Sequence, residues 1–233
     1  MKPDLVVLDI MGTSVDDKGT EVKELVKLLK TVMNIDISMD QANRVMRIPK
    51  KMAFEQLCSL NKTAVTPNII DELVSKFNEQ LMEQYAEKGK IELMPYAAEL
   101  FEHIKASGSK LYLNTGFNRE VASVIVANLG LEAIIDGYIG SDEVSVGRPQ
   151  PDMIRLAMKR AGVQYSHYVM KVGDTVSDLY EGFSAGCAWN IGVLTGANTY
   201  DELRTAPYSQ ILSNLQPLIA YIPKKSGLLR AKK

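Results

Sequence analysis

The chain has 233 residues, 46% of them hydrophobic and 24% charged, which is enough for one α/β domain that carries an inserted module. The formal net charge of -1 gives no reason to expect nucleic acid as a bulk partner. The two cysteines, Cys58 and Cys187, lack the spacing of a disulfide framework or a metal site, and neither a secretory signal nor a membrane span precedes the first strand. We therefore expect a cytoplasmic protein without a membrane partner.

The first predicted element is a short apolar run at 5–10, typical of a strand that is buried on both faces of a parallel sheet. Between about residues 20 and 88 no strand-like run occurs, and amphipathic periodicity predicts helices at 20–33, 38–46, 51–60 and 67–87. This stretch indicates a helical module inserted after the first strand. It forms either a hinged lid over the strand ends or a layer packed permanently on the sheet.

Downstream of this module, strand-like runs alternate with stretches of helical periodicity. The runs cover 110–114, 134–139, 168–172 and 189–194, and the helical stretches cover 95–106, 119–128, 151–161 and 176–184. Alternation of this kind predicts right-handed βαβ crossovers. The predicted fold class is therefore α/β, with a doubly wound, Rossmann-like parallel sheet as its core and an inserted α-helical cap domain.

Four polar clusters fall at the carboxyl ends of predicted strands, where ligands bind in open α/β sheets. They are 9–13 with Asp16 beyond, 114–116, 147–151, and 173–175 with Asp178 beyond. Each cluster alone is a weak signal, because an aspartate at a strand end is often a turn former or a helix cap. Together they bring carboxylates, a hydroxyl, a guanidinium and glycine backbone to one crevice, a set that suits a phosphoryl group and a divalent cation.

The acidic residues of these clusters predict a magnesium site. Magnesium prefers an octahedron of oxygen ligands and usually keeps some of its waters. Asp9, Asp174 and Asp178 can supply carboxylate oxygens, and the backbone carbonyl near Met11 can supply another. We therefore expect Mg2+ as the cofactor, with these four residues as its ligands.

The remaining polar groups of the clusters are candidates for binding a phosphoryl group, which needs hydrogen-bond donors and positive charge around its oxygens. Thr115 and the backbone at Gly116, Gly12 and Thr13 can donate hydrogen bonds. Arg148 adds a permanent positive charge with forked geometry. The expected partner is therefore a small-molecule phosphate or phosphonate substrate.

With these clusters in this order, the chain resembles the haloacid dehalogenase superfamily over essentially its whole length. The resemblance implies that Asp9 acts as a carboxylate nucleophile and carries an aspartyl-phosphate intermediate. It also implies a core domain made of residues 1–16 and 93–233 and a helical cap domain at 17–92. Related enzymes pair through their caps, so a homodimer is a further expectation.

Met11 narrows the predicted class. Phosphatases of this superfamily carry a second aspartate at this position, where it exchanges protons with the leaving oxygen and the attacking water. The thioether of Met11 cannot transfer a proton at neutral pH. Because general acid–base catalysis contributes about 10²–10⁴-fold in rate, an efficient ordinary phosphomonoesterase is disfavoured.

One branch of the superfamily lacks that aspartate, namely phosphonoacetaldehyde hydrolase and its close relatives. The segments 147–151 and 171–178 are similar to theirs, and Met46 to Lys50 resembles their Met-Gly-x-x-Lys cap loop. The resemblance makes Lys50 the lysine that forms a Schiff base with an aldehyde, and it puts Met46 and Arg47 beside the substrate. The resulting iminium is the electron sink that a carbon leaving group needs. Without the resemblance, Lys50 is interpreted as a solvated surface lysine.

Four positions depart from this branch, and they keep three functions open. Arg47 replaces the loop glycine, Ala53 and Phe117 replace a histidine and a tyrosine, and Met11 replaces a small residue. The leading hypothesis is hydrolysis of the P–C bond of a small carbonyl phosphonate. The alternatives are a phosphomonoesterase for a small metabolite and a phosphate-binding protein with little turnover.

Overall fold

The computed structural model of the protein describes residues 2–46 and 48–223. The strands are β1 (Leu5–Asp9), β2 (Val15–Asp16), β3 (Glu92–Leu93), β4 (Lys110–Asn114), β5 (Gly137–Ile139), β6 (Val169–Gly173), β7 (Trp189–Val193) and β8 (Gln210–Leu212). The helices are α1 (Thr20–Met33), α2 (Met39–Val45), α3 (Lys50–Leu60), α4 (Pro67–Ala86), α5 (Ala97–Ser107), α6 (Arg119–Asn128), α7 (Asp152–Ala161), α8 (Val176–Ala185), α9 (Tyr200–Leu203) and α10 (Leu218–Tyr221). None of the helices in these ranges combines the length and the hydropathy that a membrane span requires.

Six strands in the described part of the chain form one parallel sheet, in the order β5-β4-β1-β6-β7-β8. Strand β1 lies between β4 and β6, and its last residue, Asp9, pairs with Asn114 at the end of β4. Because the strands are parallel, their carboxyl ends lie along one edge of the sheet. The predicted Rossmann-like parallel sheet is confirmed.

Strand β1 is buried on both faces, as its continuous apolar sequence predicts. Val6 and Leu8 pack in the larger apolar cluster of the protein, while Leu5 and Val7 pack in a second cluster with Ile154 of α7. All four strand residues are inaccessible to solvent. The apolar layers above and below β1 therefore fix the position of Asp9 at the strand end.

Helices α1 to α4 form a helical segment, residues 20–86, that lies between β2 and β3 in the chain. Strands β2 and β3 pair with each other in antiparallel fashion, so the two ends of the helical segment lie side by side. The segment has buried aromatic residues of its own, such as Phe54 and Phe77, whose rings meet edge to face at 5.7 Å. The predicted helices at 20–33, 38–46, 51–60 and 67–87 correspond to α1 to α4.

The helical segment contacts the sheet domain through α4 and α6. The side-chain amide of Asn128 in α6 donates hydrogen bonds to the carbonyls of Tyr85 (2.5 Å) and Glu87 (3.2 Å). The buried ring of Tyr85 lies 6.3 Å from the ring of Phe117, which follows β4. These contacts hold the carboxyl end of α4 close to the carboxyl end of β4.

One predicted strand is shorter than expected, because 134–139 contains only the three residues of β5. Residues 131–133 form a 3-10 turn. The backbone amide of Asp136 donates a hydrogen bond to the carbonyl of Leu111 (2.7 Å). Its carboxylate also accepts a hydrogen bond from the Leu111 amide (2.9 Å). The chain therefore enters the sheet at Gly137 instead of Ile134.

Candidate active site

Three buried aspartates lie at the carboxyl ends of β1 and β6. Asp9 is the last residue of β1, Asp174 follows β6 directly, and Asp178 lies in the first turn of α8. One carboxylate oxygen from each of the three lies within 4.8 Å of the other two. The predicted carboxylate ligands are therefore brought together in space, close enough to contact one cation.

The turn after β1 is shaped around the carboxylate of Asp174. Gly12 has a φ of 78°, and a Cβ atom there would lie 2.7 Å from Asp174 Oδ2, so this position needs glycine. The hydroxyl of Thr13 donates to Asp174 Oδ1 (2.9 Å), and the amide of Ala197 donates to Oδ2 (2.7 Å). The amide of Gly12 donates to the carbonyl of Val15 (2.9 Å). Gly12 and Thr13, which the sequence suggested as substrate contacts, thus have partners within the protein.

Asp178 is oriented by the start of α8. It forms a capping box with Thr175, whose amide donates to Asp178 Oδ2 (3.2 Å) and whose hydroxyl oxygen accepts from the Asp178 amide (3.2 Å). The other oxygen, Oδ1, lies 3.1 Å from Arg148 Nη1 and 2.9 Å from Lys171 Nζ. Asp178 is thus positioned by the start of α8 on one oxygen and by two protein cations on the other.

Arg148 lies against the carboxylate of Asp9. Its Nη1 is 2.6 Å from Asp9 Oδ1, its Nε donates to Glu181 (3.1 Å), and its Nη2 donates to the carbonyl and the side-chain oxygen of Asn114 (3.1 and 2.7 Å). Burial alone lowers the pKa of Arg148, but the carboxylates of Asp178, Asp9 and Glu181 more than reverse this and raise it. The guanidinium fork is therefore engaged inside the protein, where it fixes the position of Asp9.

A second cation, Lys171, is completely buried in the middle of β6. Its Nζ lies 2.7 Å from Asn114 Oδ1, 2.9 Å from Asp178 Oδ1 and 3.1 Å from Glu181 Oε2. The amide of Asn114 in turn donates to both oxygens of Glu181 at 3.0 Å. Together these groups form what we call the strand-end network: Asp9, Asn114, Arg148, Lys171, Asp174, Asp178 and Glu181.

The strand-end network has more carboxylates than cations. Burial raises the pKa of Asp9 to about 8, a shift that Arg148 opposes and that Asp178 and Asp174 increase. Burial, and next Asp178, raise the pKa of Asp174 to about 6. Although burial also acts to raise the pKa of Asp178, Arg148 and Lys171 hold it below its usual value. Burial among other carboxylates therefore makes the charges of Asp9 and Asp174 costly, even though Arg148 contacts Asp9.

The donor set of this site fits a divalent cation. Four carboxylates of the network face two cationic side chains, so two negative charges are left over, and a divalent ion would balance them. The available atoms are carboxylate oxygens, the ligand type that magnesium prefers. Met11, whose backbone carbonyl is the fourth predicted ligand, lies in the turn directly after β1. The residues present therefore suit the predicted Mg2+ cofactor.

Thr115 and Gly116 form the loop that follows β4. Thr115 is buried, and its hydroxyl oxygen accepts a hydrogen bond from the amide of Phe117 (3.2 Å), a contact that does not use the hydroxyl proton. The carbonyl of Gly116 accepts from the hydroxyl of Ser141 (2.9 Å). This loop therefore adjoins the network through Asn114 and can offer donors to an anion.

Lys50 is the first residue of α3, and its amine reaches the loop after β4. Its Nζ lies 2.7 Å from Glu21 Oε1, 3.4 Å from the carbonyl of Met46 and 5.8 Å from the ring centroid of Phe117. The Lys50 side chain is 14% exposed and that of Glu21 is 13% exposed, so the surface-lysine alternative is wrong. We call these four residues, with Asp17 and Tyr85 beside them, the Lys50 group.

Glu21 occupies an environment that disfavours its charge. Burial raises the pKa of Glu21, an effect that Lys50 opposes and Asp17 increases. Asp17 Oδ2 accepts hydrogen bonds from the Glu21 amide (2.7 Å) and from the hydroxyl of Tyr85 (3.1 Å). Burial, followed by the charges of Glu21 and Asp17, raises the pKa of Tyr85 well above its usual value.

Sequence reasoning missed several residues of these two sites, among them Lys171, Glu181 and Glu21. Lys171 was detectable, because a lysine within the apolar run of β6 must be paired with a counter-charge. Glu181 was also detectable, since it follows Asp178 by one helical turn on the buried face of α8. Glu21 gave no signal, because its contact with Lys50 joins two helices far apart in the chain. Arg47, a predicted substrate contact, lies outside the described residues.

Comparison with known proteins gives consistent results. A family model of haloacid dehalogenase-like hydrolases matches residues 3–186. Phosphonoacetaldehyde hydrolase of Bacillus cereus (strain B4264) is 29% identical over 217 residues, which cover 85% of this chain and 78% of that protein. The bifunctional phosphonoacetaldehyde hydrolase/aminoethylphosphonate transaminase of Clostridioides difficile (strain 630) is 28% identical over 205 residues, and the match covers 83% of this chain but 32% of that protein. The crystal structure of a phosphonoacetaldehyde hydrolase-like protein from Oleispira antarctica has a TM-score of 0.80 at 21% identity, covering 95% of this chain and 93% of that one.

Proposed function

The chain belongs to the haloacid dehalogenase-like hydrolase family, and from that premise we propose that it hydrolyses the P–C bond of a small carbonyl phosphonate such as phosphonoacetaldehyde. The observation that carries the proposal is the position of Lys50. Its amine lies 5.8 Å from the ring of Phe117. Phe117 belongs to the same loop as Thr115 and bonds to it through its amide. A primary amine therefore lies close to the loop that is proposed to bind the phosphoryl group.

Asp9 is the proposed nucleophile. One of its carboxylate oxygens attacks phosphorus, the P–C bond breaks, and the phosphoryl group stays on Asp9 until water releases it as phosphate. The contact with Arg148 at 2.6 Å orients the Asp9 carboxylate and opposes its protonation. Thr115 and Gly116 are proposed to donate hydrogen bonds to the phosphoryl oxygens.

Magnesium is the proposed cofactor, held by Asp9, Asp174, Asp178 and the backbone carbonyl of Met11. When bound, it supplies positive charge that offsets the repulsion between an anionic nucleophile and an anionic substrate. Gly12 and Thr13 are proposed to contact the substrate, and the Thr13 hydroxyl also supports the metal site by donating to Asp174.

Lys50 is proposed to form a Schiff base with the carbonyl carbon of the substrate. The electron pair of the breaking P–C bond then passes into the iminium and gives an enamine, so the carbon leaving group needs no proton in that step. This chemistry suits a site in which Met11 occupies the position of the usual proton donor. Met46 and Arg47 are proposed to line the substrate pocket beside Lys50.

The proposal is tested by supplying phosphonoacetaldehyde with Mg2+ and measuring the release of inorganic phosphate and acetaldehyde. Ethylphosphonate, which has the same carbon chain without the carbonyl, is the matched control and should release no phosphate. Borohydride added during turnover should inactivate the enzyme by reducing an adduct on Lys50, and Lys50→Arg should abolish turnover. Phosphate release that continues at the wild-type rate in Lys50→Arg would contradict the proposal.

The ion pair between Lys50 and Glu21 at 2.7 Å favours a second candidate, hydrolysis of a small phosphomonoester. In an ion pair Lys50 is an ammonium, which binds an anionic substrate and does not attack a carbonyl. In that case Lys50→Arg would retain most activity on aryl phosphates. A screen without any turnover would favour a phosphate-binding protein.

Three further predictions accompany this proposal. We propose that residues 17–92 form a cap domain over a core made of 1–16 and 93–233. We also propose that the protein is a homodimer and that it is cytoplasmic. Analytical ultracentrifugation and localisation of a tagged protein test the last two.

A further inference from the structure

We infer that Glu21 transfers protons between the amine of Lys50 and the carbonyl oxygen of the substrate, an inference that rests on the proposed Schiff base. Glu21 belongs to none of the four motif clusters and was not a candidate from the sequence. The contact that carries the inference joins Glu21 Oε1 and Lys50 Nζ at 2.7 Å. Glu21 therefore touches the atom that reacts.

Schiff base formation needs a group that both accepts and returns protons. An ammonium must lose a proton before the nitrogen can attack, and the hydroxyl of the resulting carbinolamine must gain one before it leaves as water. Phe117, the aromatic residue near the Lys50 amine, cannot exchange a proton, so the proton carrier must be another group.

The structure supplies a carboxylate at the reacting nitrogen. Glu21 extends from the first turn of α1 and Lys50 is the first residue of α3, so both helices begin at this site. Both side chains are more than four-fifths buried. Glu21 Oε1 is the carboxylate atom that faces Lys50 Nζ, so it is positioned to take a proton from the amine.

The surroundings of Glu21 suit reversible protonation. Among residues 2–46 and 48–223, the charged and titratable groups that face it are Lys50, Asp17 and Tyr85. Asp17 is held by the Tyr85 hydroxyl and by the Glu21 amide, so its carboxylate stays fixed close to Glu21. Because burial and Asp17 raise the pKa of Glu21, its protonated form is less costly than that of an exposed glutamate.

The inferred proton transfers balance. Glu21 takes one proton from the Lys50 ammonium, and the neutral nitrogen forms a bond to the carbonyl carbon. Glu21 gives this proton to the oxygen, which becomes a hydroxyl. It then takes a second proton from the nitrogen and returns it to the hydroxyl as the C–O bond breaks and water leaves. Lys50 is left as an iminium, and Glu21 ends as the carboxylate with which it began.

The experiment measures how fast phosphonoacetaldehyde forms a borohydride-trapped adduct on Lys50 across the pH range, by peptide mass spectrometry of the full-length protein. Glu21→Gln should slow adduct formation by about a hundredfold or more at neutral pH, the usual contribution of a proton-transfer group. Glu24→Gln is the matched control, because Glu24 is also a buried glutamate of α1 but pairs with Lys27. It should behave as the wild type.

A second variant separates proton transfer from packing. Glu21→Asp keeps a carboxylate, so it should form the adduct faster than Glu21→Gln and with a pH profile of wild-type shape. The inference is overturned if Glu21→Gln forms the adduct at the wild-type rate or faster, or if both variants are equally slow. A wild type that forms no adduct at all would instead reject the Schiff base, and with it the proposed function.

Discussion

The strand-end network and the Lys50 group hold charge in different ways. In the network, two cations and four carboxylates are buried together, and Arg148 alone contacts Asp9, Asn114, Asp178 and Glu181. In the Lys50 group, one amine is paired with one carboxylate at 2.7 Å, beside aromatic rings and a second carboxylate, Asp17. The network has two more carboxylates than cations, and Arg148 and Lys171 each contact several of its groups. The Lys50 group has one more carboxylate than cations, and Lys50 pairs with a single carboxylate among the described residues.

This difference suggests a division of labour between the two regions. The network has the charge and the oxygen ligands for phosphorus chemistry, and it is built from β1, β4, β6 and α8, with Arg148 from the loop before α7. The Lys50 group has an amine and a carboxylate that can exchange a proton, and both of these side chains belong to the helical segment. We therefore expect that changes in the network affect phosphoryl transfer and that changes in the Lys50 group affect the carbon side of the reaction.

The largest effect is expected for Asp9→Asn. Loss of the nucleophile should reduce phosphate release from phosphonoacetaldehyde by about a thousandfold or more, in a steady-state assay with Mg2+. Asp16→Asn is the control, since Asp16 accepts a hydrogen bond from the Lys18 amide in an exposed turn (2.8 Å). Equal activity of Asp9→Asn and the wild type would show that Asp9 is not the nucleophile and that the network does not take part in the reaction.

Lys171→Met should destabilise the protein strongly. The substitution leaves the carboxylates of Asp178 and Glu181 buried with one cation fewer, and breaking a buried pair of this kind costs about 3–5 kcal/mol. Lys110→Met is the matched control, because Lys110 also lies on a strand and pairs with Asp136 at 2.7 Å, but is exposed. Urea denaturation should show a large decrease in the free energy of unfolding for Lys171→Met and almost none for Lys110→Met.

Magnesium affinity should depend on pH. Burial raises the pKa of Asp9 to about 8 and that of Asp174 to about 6, so in the absence of metal both carboxylates hold protons more tightly than usual. Magnesium must displace these protons. Affinity measured by calorimetry should therefore rise by about tenfold per pH unit for each proton released, between about pH 6 and 8, and level off above. A magnesium affinity that does not change with pH would show that Asp9 and Asp174 are not its ligands.

The smallest effect is expected for Lys51→Arg. Lys51 adjoins Lys50 in α3, but it forms an exposed ion pair with Asp71 at 2.5 Å. Exposed pairs of this type contribute little to stability. Adduct formation and turnover should match the wild type, whereas Lys50→Arg should lose both. A borohydride-trapped adduct on Lys51 would show that Lys51, and not Lys50, forms the Schiff base.

Much of the fold follows from local patterns in the sequence. The apolar runs predict the central strands, because a strand buried on both faces must be apolar throughout. Strand β8 has only three residues, too few for a periodic signal, and was not predicted. The start of β5 depends on how Asp136 bonds to Leu111, which a hydrophobic pattern cannot reveal.

The site was predictable to different extents in the two regions. Asp9, Asp174 and Asp178 follow strands of one parallel sheet, so their meeting at one edge could be expected. The contact between Lys50 and Glu21 depends on how the helical segment brings the starts of α1 and α3 together, and only resemblance to known proteins singled out Lys50. Tertiary packing of the helical segment therefore carries the information that sequence motifs lack.

The central claim is that the two regions act on one substrate molecule, and the trapped adduct of Asp9→Asn tests it most directly. In this variant Lys50 should still form its Schiff base, but the P–C bond should stay intact. Mass spectrometry after borohydride reduction should therefore find Lys50 carrying the whole phosphonate, whereas the wild type should carry an ethyl group without phosphorus. An adduct lacking phosphorus in Asp9→Asn, or one retaining it in the wild type after phosphate release, would contradict the account.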